Sequence, residues 1–229
     1  MSTMLVIGHR GASGHALENT LDAFERCVAP SPTACDGVEL DVHTTADGEL
    51  VVHHDPALAD GRQLHELTAA EVAAARLKDG SGIPTLAEAL AVLSPIEVFI
   101  EAKGVSIHGL GRLRALIAGH PFPERLHVHA FDHRVIRRLY EADATLSLGV
   151  LSSSYPLDVP GPVLATGAQT LWQEWHLIDR DLVERCAMVG IRVVAWTVND
   201  AAVARHLGEL GVAGVCGNWP ERLVVGHKS

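Results

Sequence analysis

The chain has 229 residues, of which 48% are hydrophobic and 20% charged, and its formal net charge is −10. A closed α/β barrel typically needs about 200–250 residues, so we expect one domain over residues 1–229. The acidic balance argues against nucleic acid, which is bound through clustered Lys and Arg, and against stable association with an anionic membrane.

The N-terminus leads directly into the first predicted strand, without the basic and apolar regions of a signal peptide. No apolar run is long enough to span a bilayer. The four cysteines (Cys27, Cys35, Cys186, Cys216) lack Cys-x-x-Cys spacing, so we expect free thiols, although Cys27 and Cys35 could pair. These features predict a cytoplasmic protein, and they do not indicate an oligomeric state.

Apolar segments alternate with helical patterns along the chain. Strands are predicted at 4–8, 37–42, 50–53, 96–102, 126–131, 146–151, 170–172, 192–198 and 214–216. Thr68 and Glu71 predict a capping box for a short helix, and 152–167 is predicted to be a loop. About eight strands interleaved with helices predict a (β/α)8 TIM barrel, with only a short insertion, 57–82, after the third strand.

Ionisable residues end the first three predicted strands. His9-Arg10 follows the first strand, Glu39-x-Asp41 ends the second, and His53-His54-Asp55 ends the third. The carboxyl ends of parallel barrel strands meet at one rim, which is where such barrels carry their active sites. We therefore expect these residues to share one site.

Three carboxylates are candidate metal ligands. Glu39 and Asp41 are two residues apart on one strand and point to the same face, and Glu101 repeats this on the fourth strand. Converging carboxylates repel one another unless a cation lies between them, and their oxygens suit Mg²⁺ or Ca²⁺. Unrelated surface acids are the alternative, and they are the usual explanation of an isolated Glu-x-Asp.

An ordered series of motifs runs through nearly the whole chain. It comprises HRG at 9–11, ENT at 18–20, ELDV at 39–42, HDP at 54–56, IPTL-x-EAL at 83–90, E-x-K at 101–103 and WTVN at 196–199. This series resembles the glycerophosphodiester phosphodiesterase family. The resemblance implies a metal-dependent TIM-barrel enzyme that hydrolyses a small glycerophosphodiester to glycerol 3-phosphate and an alcohol.

His9 and His54 are the candidate acid/base pair. A phosphodiester has a leaving oxygen that needs a proton and an attacking hydroxyl that loses one, and imidazole does either near neutral pH. The resemblance points to the same two residues. His53 is expected to point away from His54 and pack within its strand. His127 is expected to be a solvated or packed side chain. With His129 it forms a His-x-His pair on one strand face, which in isolation would suggest a zinc hydrolase.

The remaining candidates surround this pair. Arg10 and Lys103 are predicted phosphate ligands, and either could instead pair with a carboxylate. Trp196 could line the pocket against the glycerol carbons or pack in the core. Glu18 is expected to orient a site residue, and Asn19 either does the same or caps the first helix.

Two other functions are kept open. One is a related phosphodiesterase that acts on phospholipids or lysophospholipids, against which stand the 4% aromatic content and the lack of a basic amphipathic segment. The other is an inactive barrel retained as a binding module, which would be expected to lose one of its acid/base or carboxylate residues. Departures from the family pattern at Leu17, at His129-Ala130-Phe131 (usually Ser-Phe) and at Gly217-Asn218 (usually Thr-Asp) leave the released alcohol undetermined.

Overall fold

Eight parallel strands close into a barrel in the computed structural model, which describes residues 4–30 and 33–224. The strands in chain order are β1 (Leu5–His9), β2 (Gly37–Thr44), β3 (Leu50–Val52), β4 (Glu97–Gly104), β5 (Leu126–Ala130), β6 (Ser147–Ser152), β7 (Thr170–Glu174), β8 (Arg192–Trp196) and β9 (Gly214–Gly217). All except β3 belong to the barrel, and β1 closes it by pairing in parallel with both β2 and β9. The predicted (β/α)8 TIM barrel is confirmed.

Helices connect the strands and cover the sheet. They are α1 (Leu21–Val28), α2 (Ala69–Ala74), α3 (Leu86–Leu93), α4 (Ile107–Gly119), α5 (His133–Ala142), α6 (Gly161–Thr166), α7 (Arg180–Met188), α8 (Ala201–Leu210) and α9 (Pro220–Leu223). The predicted capping box of Thr68 and Glu71 begins α2. The loop predicted at 152–167 is wrong in its second half, because buried Val163 anchors α6 to the core. Within 4–30 and 33–224, every helix is too short or too polar to cross a membrane.

The third predicted strand lies outside the barrel. β3 runs antiparallel to β2, and only residues 45–49 connect the two strands. Such a short connection forms a hairpin, whereas a parallel crossover needs about a dozen residues or more. The chain returns toward the rim, where the His53 N–H donates to the Asp41 carbonyl oxygen at 3.1 Å. His54 thus arrives from the direction opposite to that of a barrel strand.

Alternation along β2 separates the core from the site. Val38, Leu40 and Val42 belong to the main apolar core between sheet and helices, whereas Glu39 and Asp41 face the barrel interior. The interior also holds a smaller apolar cluster, formed by Ile7, Phe99, Leu151, Trp172, Val194 and Cys216. The polar residues of the rim are therefore surrounded by apolar side chains.

The insertion shares a small apolar core with β3 and Ile83. This core is formed by Val51, Leu58, Leu64, Leu67, Val72 and Ile83. The insertion contains the short 3₁₀ helix Leu64–Glu66 and α2, and several of its residues line a groove together with His54. That all of residues 1–229 form one domain stays a prediction.

Candidate active site

Buried acidic side chains meet at the carboxyl ends of β2 and β4. Glu39, Asp41 and Glu101 are 3%, 0% and 8% exposed, and Asp41 lies opposite Glu101 in the β2–β4 pairing. On the next strand, His129 lies opposite Glu101 and is 1% exposed. One ligand atom from each of Glu39, Glu101 and His129 lies within 4.8 Å of the other two. This set of donors has the chemistry to hold a divalent cation.

Two buried polar atoms of this cluster have no hydrogen-bond partner among residues 4–30 and 33–224. They are Asp41 Oδ1 and His129 Nδ1. Lys103 Nζ lies 3.4 Å from Asp41 Oδ1 and forms an ion pair with it. Since buried polar groups are normally paired, His129 Nδ1 points to a partner that residues 4–30 and 33–224 do not supply. The residues present therefore fit a metal ion. The assignment of Glu39, Asp41 and Glu101 as its ligands stays a prediction.

Two cations lie against the carboxylates. Lys103 Nζ is 2.9 Å from Glu101 Oε1 and 3.4 Å from Asp41 Oδ1, while Arg10 Nε is 3.1 Å from Asp41 Oδ2. Arg10 also pairs with Glu18 at 2.8 Å, which orients its guanidinium group. Arg10 and Lys103 both line the same cavity, so their positions are compatible with either predicted role, phosphate ligand or carboxylate partner.

Asn19 holds Asp41 in place. Its amide nitrogen donates to Asp41 Oδ2 at 2.8 Å, and its amide oxygen accepts from the Asp41 N–H at 3.3 Å. The helix cap, which the sequence also allows for Asn19, is Thr20. Arg10 and Asn19 both have a φ of 57°, and in the described part of the chain they are the non-glycine residues with positive φ. Such strain concentrates at functional sites, and here both residues contact Asp41.

The carboxylates differ in their affinity for a proton. Burial, with Asp41 and Glu101 nearby, holds the pKa of Glu39 well above its ordinary value. Burial and Asp41 also raise the pKa of Glu101 to about 7. Burial acts in the same direction on Asp41, but Arg10 and Lys103 outweigh it and lower the pKa of that carboxyl. The cluster without a cation therefore retains a proton near neutral pH, and metal binding would release it.

His9 has an uncharged partner. Its Nδ1–H donates to Asn218 Oδ1 at 2.7 Å, so the neutral ring carries no proton on Nε2, which lies 3.9 Å from Glu39 Oε2. Burial, followed by the charge of Arg10, lowers the pKa of His9 to about 4. At neutral pH this ring is an uncharged base that faces the carboxylates.

His54 has a charged partner. Its Nδ1–H donates to Asp55 Oδ1 at 2.7 Å, and His43 Nε2 donates to its main-chain carbonyl at 3.1 Å. A carboxylate stabilises a protonated ring more strongly than the uncharged amide beside His9 does. The two histidines line one cavity with unlike partners, an arrangement that fits opposite proton-transfer roles.

The cavity that joins these groups has a volume of about 150 Å³. Its lining combines the ionisable side chains of the site with four apolar ones, Phe131, Leu151, Trp172 and Trp196. The Trp196 ring stands edge-on to Phe131, with 5.5 Å between ring centroids. Of its two predicted placements, lining the pocket or packing in the core, Trp196 has the first. A lining of charged and apolar side chains suits an anion that carries a short carbon chain.

A larger groove of about 1030 Å³ lies beside this cavity, and His54 lines both. Residues 13–19 form one wall of the groove, and the insertion contributes most of the rest. His53, expected to pack within a strand, instead follows β3, is half-buried and lines this groove. The alternation argument fails for His53 because the strand has already ended.

Two residues belong to the site although its motifs do not identify them. They are His129, beside Glu101, and Asn218, beside His9. His127 is a packed side chain, as expected, since its ring nitrogens pair with Ser147 and Glu97. The signal present in the sequence is that positions 129 and 218 both lie in segments that depart from the family pattern.

Known proteins of one family match the chain over nearly its full length. A model of the glycerophosphoryl diester phosphodiesterase family matches residues 9–222. A glycerophosphodiester phosphodiesterase of Caldanaerobacter subterraneus subsp. tengcongensis is 30% identical over 236 residues, which cover 96% of each chain.

Solved structures of phosphodiesterases also match the chain over nearly its full length. A phosphodiesterase of Oleispira antarctica, in complex with the product sn-glycerol-3-phosphate, has a TM-score of 0.84 at 25% identity, covering 95% of this chain and 94% of that one. A glycerophosphodiester phosphodiesterase of Parabacteroides distasonis shares the fold, with a TM-score of 0.85 at 23% identity over 97% and 95% of the two chains. The matched range includes every candidate site residue, and the chain therefore belongs to the glycerophosphoryl diester phosphodiesterase family and is a phosphoric diester hydrolase.

Proposed function

We propose that this enzyme hydrolyses glycerophosphodiesters to glycerol 3-phosphate and an alcohol, with the help of a divalent cation and two histidines. The observation that carries the proposal is the convergence of Glu39, Glu101 and His129 in a cavity that also contains two differently partnered imidazoles, His9 and His54. The product bound to the Oleispira antarctica relative supports glycerol 3-phosphate as the product here.

Glu39, Asp41 and Glu101 would hold the cation, and their oxygens suit Mg²⁺ or Ca²⁺. When bound, the ion supplies positive charge against the phosphate oxygens and the negative charge that grows on them. Arg10 and Lys103 line the same cavity and can direct donors at those oxygens. Glu18 and Asn19 keep Arg10 and Asp41 in position.

The attacking group comes from the substrate in this proposal. Cys216 lines the cavity, but burial holds its pKa well above the ordinary value, so it stays a protonated thiol and a poor nucleophile. The glycerol hydroxyl next to the ester is already held near the phosphorus, which gives its attack the advantage of an intramolecular reaction. The family resemblance implies the same route through a cyclic 1,2-phosphate.

Each histidine then moves one proton per step. His9 Nε2 takes the proton of the attacking hydroxyl as its oxygen bonds to phosphorus, and His54 protonates the alcohol oxygen as its bond to phosphorus breaks. Water opens the cyclic phosphate in the second step. His54 now takes the proton of that water, and His9 returns its proton to the glycerol oxygen.

The released alcohol lies on the side of the larger groove, because His54 borders it. The insertion forms much of that groove and would therefore select among alcohols. The phospholipid alternative predicts co-sedimentation with vesicles, and the binding-module alternative predicts substrate binding without turnover. The four cysteines are free, and a cytoplasmic location, where thiols stay reduced, is part of the proposal.

The test is release of glycerol 3-phosphate from glycerophosphocholine, -ethanolamine, -inositol and -glycerol, each with Mg²⁺, with Ca²⁺ and after removal of metal. At least one substrate should be turned over with metal and none without it. Glu39→Gln should be inactive, whereas Glu97→Gln, whose carboxylate contacts His127 at the opposite end of β4, should stay active. Failure of the wild-type protein on all four substrates would contradict the proposal.

A further inference from the structure

We propose that His129 is a direct ligand of the metal ion in this site, and that it gives the site a preference for ions that accept nitrogen, such as Zn²⁺ and Co²⁺. This inference rests on the proposed metal site and deepens it. The motifs assign three carboxylates to the metal, a set that favours hard ions. A nitrogen ligand changes the class of ion that binds best.

The position of His129 is that of a ligand. It lies opposite Glu101 across the β4–β5 pairing, and one of its ring nitrogens lies within 4.8 Å of a carboxylate oxygen of Glu101 and of one of Glu39. The side chain is 1% exposed, so bulk water does not satisfy it. Its ring stacks on Trp172, with 4.1 Å between centroids and 9° between planes, which restricts the orientation of the ring. A restricted donor beside two carboxylates is a preorganised ligand.

The hydrogen bonding of His129 differs from that of its neighbour on the same strand face. His127 is a structural histidine, with Nδ1 2.6 Å from Ser147 Oγ and Nε2 2.7 Å from Glu97 Oε2. His129 Nδ1 is buried and has no hydrogen-bond partner in the described part of the chain. Nδ1 is therefore available to a ligand, and the stack on Trp172 restricts the plane of the ring.

Imidazole nitrogen suits Zn²⁺ and other transition metals, whereas carboxylate oxygen suits Mg²⁺ and Ca²⁺. If His129 binds the ion, affinity for Co²⁺ or Zn²⁺ should depend on it strongly, and affinity for Ca²⁺ only weakly. If the carboxylates bind the ion alone, replacing His129 should leave the affinities for Co²⁺, Zn²⁺ and Ca²⁺ unchanged. The two cases can be separated by metal binding without measuring turnover.

The experiment titrates the metal-free full-length protein with Co²⁺ and with Ca²⁺ by calorimetry, and records the visible absorption of bound Co²⁺. His129→Phe keeps a ring on Trp172 but removes the ligand, and His127→Phe is the matched control on the same strand. We expect His129→Phe to lower Co²⁺ affinity at least about tenfold and to change the Co²⁺ spectrum, with Ca²⁺ affinity nearly unchanged. His127→Phe should keep the wild-type Co²⁺ affinity and spectrum.

A second variant guards against misfolding. His129→Gln is polar, smaller than Phe and offers oxygen in place of nitrogen, so it should show the same selective loss of Co²⁺ affinity. If His129→Phe and His129→Gln both fold and bind Co²⁺ with the affinity and the absorption spectrum of the wild-type protein, the inference is overturned, even if glycerophosphodiesters are turned over. Co²⁺ binding that requires His129, in a protein that turns over none of the four substrates, would support this inference while the proposed function fails.

Discussion

His9 and Asn218 lie 209 residues apart in the chain and meet through one hydrogen bond, from the imidazole Nδ1–H to the amide Oδ1, at 2.7 Å. Asn218 directly follows β9, and its N–H donates to Asn199 Oδ1 at 2.8 Å. The amide fixes the ring and its tautomer but carries no charge to stabilise a protonated ring. This pair therefore favours His9 as the general base of the first step.

Replacing Asn218 by Asp tests this role. A carboxylate against Nδ1–H would raise the pKa of His9, now about 4, by about 1 to 3 pH units. Because the base acts unprotonated, activity is lost as pH falls through that pKa. The acidic limb of the kcat/KM profile should therefore move to higher pH in Asn218→Asp and not in Asn218→Ala. An acidic limb in the same place for all three proteins would show that His9 is not the base.

The two proposed catalytic histidines should be equally indispensable. His9→Ala and His54→Ala should each lower kcat on the order of 10²–10⁴-fold, because each transfers a proton. His53→Ala is the matched control, since it lies next to His54 but lines the larger groove and not the 150 Å³ cavity. We expect it to alter stability or KM more than kcat. A larger loss of kcat in His53→Ala than in His54→Ala, at equal folded fraction, would transfer the role to His53.

Metal removal should destabilise the protein most at high pH. Folding raises the pKa of Glu39, and that of Glu101 to about 7. A carboxyl group whose pKa is raised by folding stabilises the fold while it is protonated. This contribution is lost as the pH rises from the pKa of the group in the unfolded chain to its pKa in the folded protein. The metal-free protein should therefore lose stability from about pH 4.5 to above about pH 7, partly offset by Asp41, whose pKa is lowered.

A bound cation reverses this loss. At a free concentration of 100 times its Kd it should add about 2.7 kcal/mol to the free energy of unfolding. Melting curves with Mg²⁺ or Ca²⁺ and with excess chelator, at about pH 5 and about pH 8, measure the effect. The difference in Tm should be larger at the higher pH. Equal melting temperatures with and without metal at both pH values would contradict the metal site.

The proposed route through a cyclic phosphate depends on the glycerol hydroxyl next to the ester. A substrate analogue with hydrogen in place of that hydroxyl should lose nearly all turnover, because the attacking group is gone. The comparison is made at matched pH and metal concentration, with binding of the analogue checked by inhibition. Comparable rates for substrate and analogue would instead assign the attack to water.

The sequence was sufficient for the barrel and for most of the rim. Glu39, Asp41 and Glu101 alternate with apolar residues, so their shared face follows from strand geometry alone. The antiparallel direction of β3 also follows from the sequence, since the five residues 45–49 are too few for a parallel crossover. The alternation argument placed His53 wrongly because a strand end cannot be located to one residue from a pattern.

His129 and Asn218 could not be assigned in the same way. A histidine on an apolar strand is compatible with a paired structural role, and His127 shows that the same strand contains such a residue. Whether a buried ring finds partners depends on the residues that the barrel brings opposite it. Likewise, the contact between Asn218 and His9 exists only because β9 closes the barrel against β1.

The most direct test of the account follows glycerophosphodiester cleavage by phosphorus NMR, with glycerophosphocholine, -ethanolamine, -inositol or -glycerol as the substrate. With wild-type protein and Mg²⁺ or Ca²⁺, the signal of at least one substrate should be replaced by that of glycerol 3-phosphate. Wild-type protein in excess chelator and the Glu101→Gln variant should leave the substrate signal unchanged. Glycerol 3-phosphate appearing at the same rate in excess chelator, or in Glu101→Gln, would contradict the claim that this carboxylate cluster carries out metal-dependent phosphodiester hydrolysis.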